Sequence, residues 1–344
     1  MKIAVGLSGG IDSSYSAYLL KNMGYDIVGV YMKLHDIVPS YHEKNIKNIK
    51  KISNFLNIPY HILELEDRFK TEVYDYFIDS YQQGKTPNPC IKCNSTIKFG
   101  LLFDEVMKLG VDMLSTGHYV KTDGKFIYEA ADKQKDQSYF LGQVKQSVLP
   151  KLIFPLKNLT KLDIVKKCQD IDILKDIATS GESQEICFVE ENYIKTLKNH
   201  IAVDKAGVVI DNMGKDIGTH KGYMHYTVGK RKGFYVHGAL TPHYVLKTDK
   251  INNTITVGSK DQLRKNVVKI KDINSFIEDK TYDCKVKLRY RTKAVRAKVK
   301  RYGKKAIIYL DEFVYGVAVG QFAVCYDNDK LISSGEIVWT YCRD

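Results

Sequence analysis

No apolar run in this chain approaches the roughly 18 residues that a membrane-spanning helix needs, so no such helix and no membrane partner are expected. The opening stretch MKIAVGLSGG reaches glycine too early for the apolar core of a signal peptide, and a cytoplasmic location is the default expectation. Cysteine is sparse too: seven residues, an odd number running from Cys90 to Cys342, do not make the dense, even framework of a small secreted domain. In a reducing compartment, cysteines with a role are catalytic or metal-binding. Acidic residues are outnumbered, 40 against 53 lysines and arginines, for a formal net charge of +13. That excess suits a polyanionic partner such as nucleic acid; a well-solvated basic surface accounts for it equally. There is no internal repeat and no low-complexity segment.

What is present is a chain of 344 residues, 44% apolar, long enough to bury a sizeable core in two or three domains. The first part alternates strand and helix patterns. KIAVGL is a short apolar run, DSSYSAYLLKNMG reads as a helix ending at Gly24, and DIVGVYM is a second strand. Ile46, Ile49, Ile52, Phe55 and Leu56 recur at helical spacing before the strand YHILEL. A helix over Ser95–Lys108, a strand over Asp112–Thr116 and mostly helical patterns from Ser138 to Asn199 follow. This alternation predicts an α/β fold with a doubly wound parallel sheet. Near residue 200 the texture changes to short alternating runs broken by Gly, Asn and Asp, among them GVVIDNMGKDIG and HYVLKTDKINNTITVG, which predict hairpins. The expected division is a catalytic domain over residues 1–200, a small mixed or β domain over 201–270 and a C-terminal β-barrel over 271–344.

Between the first strand and first helix lies GLSGGIDSS, Gly6 to Ser14. Its glycines allow close backbone approach, Ser8 and Ser13 supply hydroxyls, and the helix behind it aims N–H groups and the positive end of its dipole at an anion. A phosphate cradle is one reading; a tight turn capped by Asp12 or Ser13 is the other. The lysine of the G-x-x-x-x-G-K-[ST] loop is missing. TPNPCIKCN, Thr86 to Asn94, sets two cysteines three apart, the spacing of a metal half-site, a redox pair or the seat of a nucleophile. No fourth Cys or His at suitable spacing supports zinc, and the surrounding order is not thioredoxin-like. Further on, CKVKLRYR alternates Lys285, Lys287, Arg289 and Arg291 with apolar or aromatic residues, which predicts four cations on one strand face. From Lys280 to Arg301 there are ten basic residues and one acid, Asp283, fit for a nucleic-acid backbone or simply a solvated face.

SGGxDS after an N-terminal strand resembles the PP-loop of the ATP pyrophosphatase superfamily, which releases pyrophosphate from ATP and leaves AMP on a substrate oxygen. VYMK, TPNPCIKCN, STGHYV, KDQSYFL, FPL followed by TK, SQEICFVE, YTVGKRKG, KLRYR and VGQFAVCY then occur in the order, and at about the spacing, of the tRNA-specific 2-thiouridylases. The resemblance covers nearly the whole chain and implies an adenine nucleotide alpha hydrolase-like N-terminal domain and a sulfurtransferase of the wobble uridine in glutamine, lysine and glutamate tRNAs. ATP would be bound by Gly6, Leu7, Ser8, Gly9, Gly10, Ile11, Asp12 and Ser13, with Met32 and Gly117 at the adenosine and Mg²⁺ as counter-ion. Met32 is equally readable as core filler. Cys93 would be the nucleophile and Cys187 the persulfide carrier, supplied by a cysteine desulfurase or a sulfur-relay protein.

The same resemblance implies Asn88, Pro89 and Cys90 at the target base, Lys135, Asp136 and Gln137 on nearby tRNA, and Arg289, Tyr290 and Gln321 from the C-terminal domain. His118, which by chemistry alone could be a general base, is implied to contact tRNA. Cys168, Cys284, Cys325 and Cys342 read as structural. Two departures stand out: Lys230 occupies the position of Gln in YTxGQRKG, and Cys90 occupies a position where some relatives carry Asp. With Cys93 and Cys187, Cys90 could complete three thiolates for a [4Fe–4S] cluster, a second route to the same thiolation. A tRNA-binding protein without catalysis is the reading outside enzymology.

Overall fold

The structure is a computed structural model that describes residues 1–36, 39–178, 186–189 and 191–343. Ser183–Glu185 and Glu190 of the SQEICFVE motif lie outside the described residues. The chain forms two compact units: residues 1–73, 90–188 and 329–332 make the first, and residues 74–89, 189–328 and 333–344 the second.

The first unit is built on a parallel five-stranded sheet in the order Tyr60–Glu64, Asp26–Lys33, Lys2–Gly6, Met113–Thr116, Leu152–Ile153. Its central strand is buried along Ile3, Ala4 and Val5, as a short apolar run covered on both faces must be. The helix Ile11–Asn22 follows and ends before Gly24, whose φ of +84° suits glycine in the left-handed region. The helix Pro39–Leu56 buries Ile49 and Ile52, whereas Phe55 is turned out to solvent, a departure from the apolar stripe. Strand order reverses at Lys2–Gly6: the next chain segments go to one side and Met113–Thr116 to the other. Open α/β sheets bind ligands in the crevice at such a switch point, outside the carboxyl ends of the strands.

After Cys93 the chain continues as a wide π-helical segment, Asn94–Leu102, and then the α-helix Phe103–Lys108. The long helical stretch expected over Ser138–Asn199 is instead a set of short pieces, two 3₁₀ turns at Ser138–Leu141 and Gln146–Lys151 and helices at Lys161–Gln169, Asp172–Ala178 and Tyr193–Lys198. Pro150 and the edge strand Leu152–Ile153 interrupt it.

The second unit is mostly β. A five-stranded sheet in the order Phe234–Val236, Asp216–His220, Gly207–Ile210, Thr254–Gly258, Tyr244–Asp249 closes over Val209, Tyr226, Val245, Ile255 and Val257. The hairpin foreseen at INNTITVG is there, with Asn253 in the left-handed region at φ 50°. Six further strands close into a barrel: Arg264–Ser275, Lys305–Tyr315, Val295–Tyr302, Thr281–Lys287, Phe322–Asp327 and Lys330–Tyr341, the last pairing back onto the first. The four-cation strand face is corrected here. The strand ends at Lys287, and Arg289 sits in a turn closed by Thr292 Oγ1, which donates to Arg289 O at 2.8 Å. Lys285 and Lys287 keep the outward face, and Arg289 and Arg291 leave it.

Candidate active site

The glycine loop is formed by backbone that only small residues permit. Gly9 has φ +78°, and a Cβ there would fall 2.8 Å from Asn45 Cα. Asn48 Nδ2 donates to Gly9 O at 3.0 Å, and Ser13 Oγ donates to Gly10 O at 3.0 Å while accepting from Ser8 N at 3.1 Å. Gly10, in extended backbone, occupies the N-cap of Ile11–Asn22 with no side-chain cap. The capped-turn alternative therefore does not hold: neither Asp12 nor Ser13 caps the helix end, whose first N–H groups have no side-chain cap.

Asp12 is engaged elsewhere. Its Oδ1 accepts from Tyr119 Oη at 2.7 Å and from Lys161 Nζ at 2.7 Å, and Oδ2 carries no hydrogen bond among the described residues. Lys161 thus supplies, from 149 residues away, the cation that the loop sequence lacks. It opens the helix Lys161–Gln169, which begins with a capping box between Thr160 and Asp163. The local signal for the helix start, Thr-x-x-Asp, was legible; the lysine's destination was not. Gly117, at the end of Met113–Thr116, meets the loop so closely that a Cβ would lie 2.9 Å from Ser13 N. Met32 is half-buried at the end of Asp26–Lys33, the neighbouring strand.

The thiols gather on the same unit. Pro89 opens the short helix Pro89–Cys93, where its missing N–H costs nothing. Cys93 is 8% exposed, and burial first, with Cys90 adding, pushes its thiol up to about 11; the Lys98 ammonium opposes both. Cys90 is half-buried and its thiol is also raised by burial and lowered by Lys98. Lys98 follows Cys93 by five residues, and a π-helical turn stacks such residues on one face, so the wide segment presents the cation to the thiol.

Cys187 is exposed, which gives a donor access, yet enough protein surrounds it that crowding dominates its ionisation. Desolvation first, then the neighbouring Cys93 and Cys90, push it up to about 12, with Lys98 again opposing. Phe188, buried beside it, packs edge-on against Phe69 with ring centroids 5.6 Å apart and anchors this strip. Among the described residues no three His, Cys, Asp or Glu side chains are grouped to hold a metal ion.

Profile matches divide the chain in three: a "tRNA methyl transferase HUP domain" over residues 1–191, a "tRNA methyl transferase PRC-barrel domain" over 194–259 and an "Aminomethyltransferase beta-barrel domain" over 265–337. The tRNA-specific 2-thiouridylase MnmA 1 of Aliarcobacter butzleri is 52% identical over 337 residues, covering 98% of this chain and 98% of that protein. The tRNA-specific 2-thiouridylase MnmA of Nitratiruptor sp. is 51% identical over 98% of this chain and 99% of its own length. The chain belongs to the tRNA-specific 2-thiouridylase family. Among solved structures, the U34-tRNA thiolase NcsA of Methanococcus maripaludis with its [4Fe–4S] cluster aligns over 58% of this chain and 64% of that one, at 20% identity and a TM-score of 0.36, which adds nothing to the assignment.

Several residues that the thiouridylase pattern assigns to tRNA have other partners in the structure. Asp136 is 3% exposed and accepts from Ala130 N at 2.9 Å and Ser138 Oγ at 2.8 Å; Gln137 Oε1 accepts from Tyr119 N at 3.0 Å. Both brace the strip that carries Gly117 and Tyr119, and Lys135 is half-buried. His118 is 8% exposed, its Nδ1 paired with Thr116 Oγ1 at 2.8 Å and its ring set against Phe99 and Phe154. Burial, helped by Lys98, holds its pKa well below the ordinary value, so it is a neutral ring at physiological pH.

In the second unit, Gln321 Nε2 donates to Thr86 O at 2.9 Å and Pro87 O at 3.1 Å, fastening the loop that leads into Asn88 and Pro89. Arg289 Nη2 donates to Val228 O at 3.2 Å, with Tyr290 next to it at a half-buried position. Lys98, Tyr119 and Lys161 are the residues that reading the motifs did not assign, because their partners are distant in sequence or one wide helical turn away.

Proposed function

We propose that this protein is an ATP-dependent tRNA-uridine 2-sulfurtransferase acting on the wobble uridine. The observation that carries the reading is the presence, on one unit, of an uncapped glycine cradle bordered by Lys161 and a pair of cysteines, Cys93 and Cys187, that share the field of Lys98. A uracil C2 oxygen is a poor leaving group. Transfer of AMP from ATP to that oxygen releases pyrophosphate and makes the oxygen leave with AMP, so a nucleotide cradle and a sulfur nucleophile belong together.

The cradle residues Gly6, Leu7, Ser8, Gly9, Gly10, Ile11, Asp12 and Ser13 would receive the phosphates through backbone N–H groups, with Lys161 offsetting their charge and Gly117 and Met32 bounding the nucleoside side. The Asp12 carboxylate suits Mg²⁺, which when bound neutralises charge on the departing pyrophosphate. The terminal sulfur of a Cys187 persulfide adds to C2 and AMP departs. Cys93, as thiolate, then attacks the Cys187 sulfur, the S–S bond to the transferred sulfur breaks, and the thiocarbonyl remains on the base. The resulting Cys93–Cys187 disulfide is reset by an external two-electron thiol reductant, and a cysteine desulfurase or relay protein reloads Cys187 with sulfur.

Asn88, Pro89 and Cys90 would border the target base, and Lys135, Arg289 and Tyr290 would contact the RNA. The same reading divides the chain near residues 200 and 270.

The test is a reconstituted reaction with wobble-uridine tRNA, ATP, a persulfide donor and a thiol reductant, following pyrophosphate, AMP and thiolated nucleoside by mass spectrometry. Wild-type protein should give all three. Cys93→Ser and Cys187→Ser should each lower sulfur transfer by at least about a hundredfold while ATP affinity is kept. Unmodified uridine from the wild-type protein under full reconstitution defeats the proposal.

A further inference from the structure

Within the second unit, a cavity of about 470 Å³ opens between the turn Thr227–Lys230, Lys260 and the barrel residues Arg289 and Tyr315. That volume lies in the range of small-ligand sites, about 300–1,000 Å³. Its lining carries three cations, Lys230, Lys260 and Arg289, and no carboxylate. Lys230 Nζ donates to His225 O at 2.8 Å and stands 5.3 Å from the Tyr226 ring; Lys260 Nζ stands 5.5 Å from the Tyr315 ring. Neither lysine has an acidic partner among the described residues.

The site is built rather than incidental. Gly229 N donates to Val245 O at 2.8 Å and Val245 N to Lys230 O at 2.9 Å, which pins the turn, while Arg289 is tied to Val228 O. Gly229 and Gly316, at φ +91° and +72°, both hold left-handed backbone that suits glycine, and both line the cavity. Tyr244 and Tyr315 form the walls, and Tyr315 is 46% exposed, so a planar base can reach its face. Lysines without an acidic partner beside an accessible aromatic face are the chemistry that holds a single-stranded nucleotide by its phosphate and its ring.

We infer that this pocket binds one phosphate-bearing nucleotide of the RNA substrate, other than the uridine that is thiolated, through Lys230, Lys260 and Arg289. The inference rests on the proposed action on tRNA. Lys230 stands where the pattern YTxGQRKG has Gln, so one of the three cations departs from that pattern.

The experiment compares wild-type protein with the Lys230→Gln, Lys260→Ala double variant, and with a Lys304→Ala, Lys305→Ala control that removes the same charge from an exposed hairpin. Affinity for unmodified tRNA is read by fluorescence anisotropy across a salt series, after thermal melts establish that all three are folded. The double variant should bind about tenfold more weakly, with a log–log salt slope shallower by about one, and the control should match wild type. Equal affinity and slope for wild type and double variant overturn the inference while leaving thiolation by the wild type intact; a control that weakens equally does the same. Wild-type protein that neither binds nor thiolates tRNA overturns both readings. AMP is titrated in parallel by calorimetry: binding that the double variant loses and saturating tRNA does not displace assigns the pocket to a free nucleotide and overturns the RNA assignment.

Discussion

A thiol pushed up to about 11, as Cys93 is, leaves roughly one molecule in a thousand as thiolate at pH 8. The resting enzyme is therefore expected to resist alkylation: the rate at Cys93, followed by peptide mass spectrometry with iodoacetamide, should climb about tenfold per pH unit from pH 7 to 10 without levelling. A plateau below pH 9 would show a thiolate already formed in the free protein. Lys98 acts against burial at all three thiols, so it limits how inert they become.

Lys161 has the complementary place at the cradle. Lys161→Met should weaken ATP binding about tenfold or more and slow pyrophosphate release, because the Asp12 carboxylate would then face the phosphates without its cation. Isothermal titration with ATP and a pyrophosphate assay measure both effects, and an unchanged affinity would reduce Lys161 to a structural ion pair.

The elements matter through where they end. Lys2–Gly6 and Met113–Thr116 pair in parallel with Gly6 opposite Thr116, so the loops after them must meet. Gly117 is the point of contact, and Gly117→Ala puts a methyl group 2.9 Å from the Ser13 amide, backbone that cannot step aside. ATP affinity should fall by at least about tenfold with little change in melting temperature, as calorimetry and thermal melts would register. The strand–helix alternation and the glycine loop were legible because periodicity and turn chemistry are local. The end of the strand Thr281–Lys287 was not: CKVKLRYR alternates through Arg291, but the Arg289–Thr292 turn interrupts the ladder, a tertiary override of a strand pattern.

At the scale of the whole molecule, three histidines among the described residues are buried and held below their ordinary pKa by desolvation: His35, His118 and His220. Their depressed folded values mean that the unfolded chain takes up protons first as pH falls. The stability they contribute is fully present above about pH 6.5 and is lost as pH drops toward their folded values, with a limiting slope of about 1.4 kcal/mol per pH unit for each. Urea melts from pH 7.5 to 5 should show this decline, and His118→Gln should flatten it; a stability that is level over that range would rule out the buried neutral rings.

Sequence alone determined the fold class, the nucleotide loop, the two motif cysteines and the basic character of the chain, since each rests on spacing or composition within a few residues. Tertiary structure decided what those residues face. It placed Lys161 on Asp12 across 149 positions, turned Asp136 and His118 inward, committed the Gln321 amide to Thr86 and Pro87, and set Lys98 against the thiols. The physical reason is that hydrogen-bond partners, burial and electrostatic fields belong to groups brought together by folding, and no local pattern in the chain encodes which distant group will arrive.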